Sequence, residues 1–82
     1  MDPKLSSSVQ MQFMRPGQLE AAERQYRQAA RLLPTDPEPY EGLGLVYHAL
    51  GRPERARRAL RRARRLDSSS EIANEMLERL GD

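Results

Sequence analysis

The sequence predicts an all-α domain, a stack of antiparallel helix pairs, and three observations carry that prediction. The first is an internal repeat. Residues 17–32, GQLEAAERQYRQAARL, return thirty-four places later at 51–66, GRPERARRALRRARRL, identical at eight of sixteen positions. The identities are Gly17/Gly51, Glu20/Glu54, Ala22/Ala56, Arg24/Arg58, Arg27/Arg61, Ala29/Ala63, Arg31/Arg65 and Leu32/Leu66. The second is spacing: apolar residues recur at steps of three and four, which gathers them on one side of a helix. The third is punctuation, with Gly and Pro standing where such helices start and stop. A unit of this period cannot bury its apolar face alone, so copies stack and leave a long surface for other molecules.

Five helices are expected. The first, around residues 6–15, has the poorest pattern: Val9 and Phe13 are four apart, but Ser6, Ser7, Ser8 and Gln10 interrupt the stripe. The second, 18–33, turns Leu19, Ala22, Tyr26, Ala29 and Leu32 or Leu33 to one side, with Gly17 closing the helix before it and Pro34 stopping it. The third, 37–50, aligns Tyr40, Leu43, Val46 or Tyr47, and Leu50. Thr35 or Asp36 caps its first-turn amides, and Pro37 suits the first helical position, where no amide hydrogen is needed. Gly51 then accepts the left-handed backbone that ends a helix, and Pro53 opens the next. That fourth helix, 53–66, buries Ala56, Ala59, Leu60, Ala63 and Leu66, and so many alanines let two helix axes come close. A fifth opens at the serine run, where Ser68 and Glu71 fit a capping box, and sets Ile72, Met76, Leu77 and Leu80 along one side. Glu71, Glu75 and Glu78 lie off that stripe, placed to pair with the arginines of the helix before.

Eighty-two residues form one domain, 1–82, and a chain of this size buries only about 60–65% of the surface its unfolded form exposes. Without Cys there is neither a disulfide framework nor a thiolate metal site, so packing carries the stability. No stretch approaches the roughly 20 apolar residues of a membrane span. The start, MDPKLSSSVQ, lacks the apolar run of an export signal, so the expected location is the cytoplasm. A net charge of +2 hides an asymmetry: residues 52–66 hold eight Arg and one Glu, or +7, while the tail 67–82 sums to −4. Thirteen Arg to one Lys fits a GC-rich, bacterial coding sequence.

No catalytic constellation emerges. His48 is the only histidine and has no cysteine to share a metal with, so no metal is expected. Gly42-Leu43-Gly44 lies inside a helix and lacks the Gly-Lys-Ser/Thr of a phosphate loop; close helix packing explains Gly44 better. Glu38 and Glu41 lack the surroundings that separate the pKa values of an acid/base pair, and the serines lack a partner histidine. Neither an enzyme nor a cofactor is expected.

The hairpin at 37–68 carries Tyr40, Leu43, Gly44, Tyr47, Gly51, Ala56, Leu60, Ala63 and Leu66, and in these residues it resembles the tetratricopeptide repeat, a 34-residue helix-turn-helix. Leu60 stands where the family has an aromatic, and Ser68 where it closes on proline. The earlier unit matches through Gly17, Ala22, Tyr26, Ala29, Leu32 and Pro34; in its first helix Val9 and Phe13 fit while Ser6 and Gln10 depart. The resemblance implies repeat one over about 3–36, repeat two over about 37–70 and a capping helix over about 71–80. Such stacks need three or more repeats for stability. The expectation is therefore self-association through the apolar end holding Met11, Phe13 and Met14, or a chain cut from a longer array.

Family resemblance also implies a site, because the first helix of each pair lines a concave groove that holds peptides or extended segments of partner proteins. The matching positions are Glu38, Glu41, Leu45, His48 and Ala49, with Ser7, Met11 and Met14 in the first unit. Members that hold a C-terminal carboxylate use Lys, Arg and Asn there; none stands at the positions from Glu38 onward, so a neutral or basic ligand is expected. The expected function is a scaffold or adaptor for a protein or peptide. One alternative is anion or nucleic-acid binding through Arg55, Arg58, Arg61, Arg62 and Arg65, whose phosphate contacts would be salt-sensitive but which lack interleaved aromatics for base stacking. Another is a structural subunit that stacks with its own copies.

Overall fold

A computed structural model describes residues 15–81, which form four helices: α1 (Pro16–Leu32), α2 (Pro37–Ala49), α3 (Pro53–Leu66) and α4 (Glu71–Leu80). No strand occurs among the described residues, and no helix there is long and apolar enough to cross a membrane. Each helix packs on the next in chain order, and α2 also touches α4. The helix expected around 6–15 falls on residues outside this range apart from Arg15, as do Ser7, Met11, Phe13 and Met14.

Local signals set the helix ends. Arg15 is extended (φ −70°, ψ 154°), its amide donates to Gln18 Oε1 at 3.0 Å, and Pro16 takes the first helical position. This corrects the reading of Gly17 as the end of a preceding helix: it lies in the first turn of α1 without a positive φ. Proline pre-sets the helical φ, so α1 begins before Gly17 rather than after it. At α2 the Asp36 carboxylate accepts from the Glu38 amide at 3.0 Å. The far end closes with Gly51 at φ 74°, its amide donating to the His48 carbonyl and the Arg52 amide to Tyr47. That pair of bonds satisfies carbonyls the helix leaves open, and glycine takes the left-handed backbone at little cost.

The cap of α4 is Ser70, whose Oγ accepts from the Ala73 amide at 3.2 Å, and not the expected Ser68. Ser69 donates to Asp67 Oδ1 from both its amide (3.1 Å) and its hydroxyl (2.6 Å), so this short turn delays the helix. Those bonds, the hydroxyl's foremost, hold the Asp67 carboxyl below its ordinary range.

Val46, Leu60 and Leu77 are the largest side chains wholly removed from solvent. Leu60 and Ala63 of α3 meet Ala73, Met76 and Leu77 of α4, flanked by Tyr40, Leu45, Ile72 and Leu80. On α1 the expected stripe needs correction. Leu19, Glu23 and Ala30 are buried, Ala22, Tyr26 and Ala29 are half-buried, and Leu32 and Leu33 are 73% and 54% exposed. Both leucines stand at the turn that leads from α1 to α2, so periodicity marks them as apolar although the described residues leave them largely exposed. Glu75 pairs with Arg79 of its own helix at 3.0 Å rather than with α3. Arg57 ties α3 to α4: it pairs with Glu54 and donates to the Leu80 carbonyl at 2.9 Å.

Two glycines let α2 sit tightly between its neighbours. A methyl group on Gly44 would strike the Leu60 side chain, and one on Gly42 would strike the Tyr26 ring. Close packing was expected of Gly44; the partner role of Gly42 emerges only from the fold.

Candidate functional site

Helix α2 separates two surfaces. Glu38, Glu41, Leu45, His48 and Ala49 follow one another at helical steps along one side, and Tyr40, Leu43 and Tyr47 run along the opposite side.

On the first side Glu38, His48 and Ala49 are exposed while Glu41 and Leu45 are half-buried. Glu41 Oε1 accepts the Ser70 hydroxyl at 2.9 Å, tying α2 to the start of α4. Leu45 packs against the α3–α4 core, so only part of it is free for a ligand. A cleft of about 460 Å³ opens here, lined by Asp36, Pro37, Glu38 and Glu41 and, across from them, by Asp67, Ser69, Ser70, Glu71 and Ile72. The fold thus brings Glu38 and Glu41 to a shared acidic cleft and leaves His48 and Ala49 at the other end of α2. Among the described residues no group of three His, Asp or Glu side chains is placed to hold a metal ion. Asp67, Ser69 and Ser70 of this cleft, which lead into α4, were not singled out from sequence, yet a signal existed. Asp36 and Ser70 are thirty-four apart, so the repeat period itself marks Ser70, not Ser68, as the equivalent cap.

The other side holds a cleft of about 510 Å³ between α1, α2 and α3. Leu43 and Ala59 form its apolar part, Tyr40 and Tyr47 its aromatic part, and Arg27, Arg55, Arg58 and Arg62 surround them. The Arg62 guanidinium stands over the Tyr40 ring at 5.7 Å and that of Arg55 over Tyr47 at 6.0 Å, within cation–π range. Tyr47 donates its hydroxyl to Glu23 Oε2 at 3.0 Å, and Arg27 Nη1 lies 3.9 Å from the same oxygen. Burial, then the hydrogen bond to Glu23, pushes the Tyr47 phenol pKa up.

This arrangement corrects the view that the arginines lack aromatic neighbours. Along the chain they do; in space α2 supplies two tyrosines to the arginines of α3. Of the five arginines expected to act together, Arg55, Arg58 and Arg62 line the cleft, whereas Arg61 and Arg65 do not. Arg27 joins from α1, unanticipated because no local pattern connects it to residues about thirty positions away.

Comparison with known proteins adds a family. A family model described as TPR repeat matches residues 12–51, and one described as Tetratricopeptide repeat matches residues 37–70. No curated protein and no solved structure matches the chain.

Proposed function

The chain belongs to the tetratricopeptide-repeat family, and from that premise we propose that it is an adaptor binding a protein or peptide segment along the Glu38, Glu41, Leu45, His48 and Ala49 side of α2. Repeats of this family are non-catalytic modules that mediate protein–protein interaction. The observation that carries the reading is the cleft joining the start of α2, first helix of the second repeat, to the start of α4, the expected capping helix. Its carboxylates favour a neutral or basic segment. An exposed ion pair contributes only about 0–1 kcal/mol, so charge selects and orients the ligand. Affinity comes from apolar area at about 25 cal/mol per Å², offered by Ile72 and the free part of Leu45.

Selection from a random peptide library on the intact protein tests this. The selected peptides are expected to be neutral or basic, and to lose about tenfold in affinity when Glu38 becomes Lys, a change of about 1.4 kcal/mol. Leu45→Arg should abolish capture while circular dichroism still reports a helical fold. Acidic selected peptides, or binding indifferent to Glu38→Lys, would remove the groove from consideration.

A further inference from the structure

We propose that the arginine-lined cleft on the opposite side of α2 is a second binding site, and that its ligand is an acidic peptide segment with carboxylates flanking an apolar side chain. Charge is the first argument. Four guanidiniums, from Arg27, Arg55, Arg58 and Arg62, face one buried carboxylate, Glu23. None of Arg55, Arg58 and Arg62 is paired with a carboxylate among the described residues. Guanidiniums seated over Tyr40 and Tyr47 are held in place by those rings while their N–H edges remain available, and a planar fork of donors suits carboxylates in a bidentate manner.

Shape is the second argument. Leu43 and Ala59, only 6% and 8% exposed, floor the cleft, and with the half-buried Tyr40 and Tyr47 rings they form an apolar part that a small inorganic anion would leave uncovered. The basic surface also continues along α1, where Arg27 joins Arg24, Gln28 and Arg31 around a second, smaller depression. An extended segment covers both; a single phosphate does not.

The rings decide against a nucleic acid. Base stacking requires an open aromatic face. Tyr40 has Arg62 over its ring and packs against the core, while Tyr47 has Arg55 over its ring and its hydroxyl bound to Glu23. What is left to a nucleic acid is phosphate contact alone, without the stacking that single-strand binders add.

Fluorescence anisotropy on the whole protein tests the site with a labelled peptide of alternating Glu and Leu, its Lys-for-Glu counterpart, and a single-stranded oligothymidylate. The Glu peptide is expected to bind in a manner that depends on Arg58, whereas any binding of the Lys peptide, which suits the acidic groove across α2, is expected to be independent of Arg58. Arg58→Glu, at an exposed position, should weaken the Glu peptide by about tenfold, the scale of one lost charge-assisted pair. Arg65→Glu makes the same charge change outside the cleft and should alter affinity by less than about twofold, since a solvated charge at a distance is screened. Equal losses in the two variants would show that net charge, not the cleft, is read, and would overturn the proposal. So would absence of Glu-peptide binding, or tighter binding of the oligonucleotide with the same dependence on Arg58. Glu38→Lys lies on the other side of α2 and should leave this binding unchanged, so failure of the groove reading and failure of this one are separately visible.

Discussion

Helices α1 and α3 occupy the same place in successive repeats, yet they hold α2 in different ways. Tyr26 and Leu60 are thirty-four residues apart, so they are equivalent positions. Leu60 presses on Gly44 of its own repeat and is 0% exposed, whereas Tyr26 presses forward on Gly42 of the next and is half-buried. Two positions apart on a helix means about 200° around it, so the two glycines face opposite neighbours. The equivalent pair Glu23 and Arg57 diverges as well: Glu23 accepts the Tyr47 hydroxyl, and Arg57 donates to the end of α4. A repeated sequence therefore specifies which positions pack, while the neighbour on each side decides how deeply. Helix α3 lies between α2 and α4, but α1 has its main contact among the described helices with α2.

The strongest way to break this comparison is truncation. Leu60→Ala should cost about 3 kcal/mol, within the range for a buried leucine, a large share of the stability of so small a domain. Tyr26→Ala should cost less, and urea denaturation of both variants measures the difference. Equal losses would mean that the two helices contribute alike.

A sharper comparison adds atoms instead of removing them. Gly44→Ala drives a methyl group into a side chain with no room to retreat and should destabilise by about 2 kcal/mol. At Gly42 the obstacle is a half-exposed ring that can swing outward, and the gain in helix propensity, about 1 kcal/mol, offsets much of the strain. Gly42→Ala should therefore be close to neutral in the same titration. If the Leu60 contact is the cause, Gly44→Ala becomes harmless in a Leu60→Ala background, which a double-mutant cycle would register as coupling.

The smallest effect is expected at alkaline pH, and it concerns the α1 side alone. The Tyr47 phenol has its pKa raised above 10.0 in the folded state, chiefly by burial and then by the bond to Glu23. The folded protein thus holds that proton more tightly than the unfolded chain. The resulting stability is complete below pH 10.0 and is lost as pH rises through the folded-state value. A thermal midpoint followed across this range should fall in the wild type, and the part due to this phenol should vanish in Tyr47→Phe. An unaltered alkaline decline in Tyr47→Phe would assign it to other groups.

Much of the architecture was legible along the chain because its causes are local. Pro37, Gly51 and Pro53 mark ends that the fold respects, and α3 spans the expected 53–66. The misplaced cap at Ser68 came from a competing local motif: Asp67 and Ser69 form a hydrogen-bonded turn, which a capping-box pattern does not anticipate. Glu38 and Glu41 were recognisable as neighbours on one helical side, but their cleft was not, since Ser70 reaches Glu41 across twenty-nine residues.

By itself the sequence determined four helices among the described residues, most of their ends, the alanine-rich face of α3 and the family of the fold. Those depend on hydrogen bonds, caps and side-chain periods that act within a turn or two. Tertiary structure alone decided that Arg55, Arg58 and Arg62 meet Tyr40, Tyr47 and Arg27, and that Leu32 and Leu33 stay in water. The reason is geometric. How α1 and α3 are turned about their own axes depends on which side chains settle against Gly42 and Gly44, and those contacts join residues that no local pattern relates.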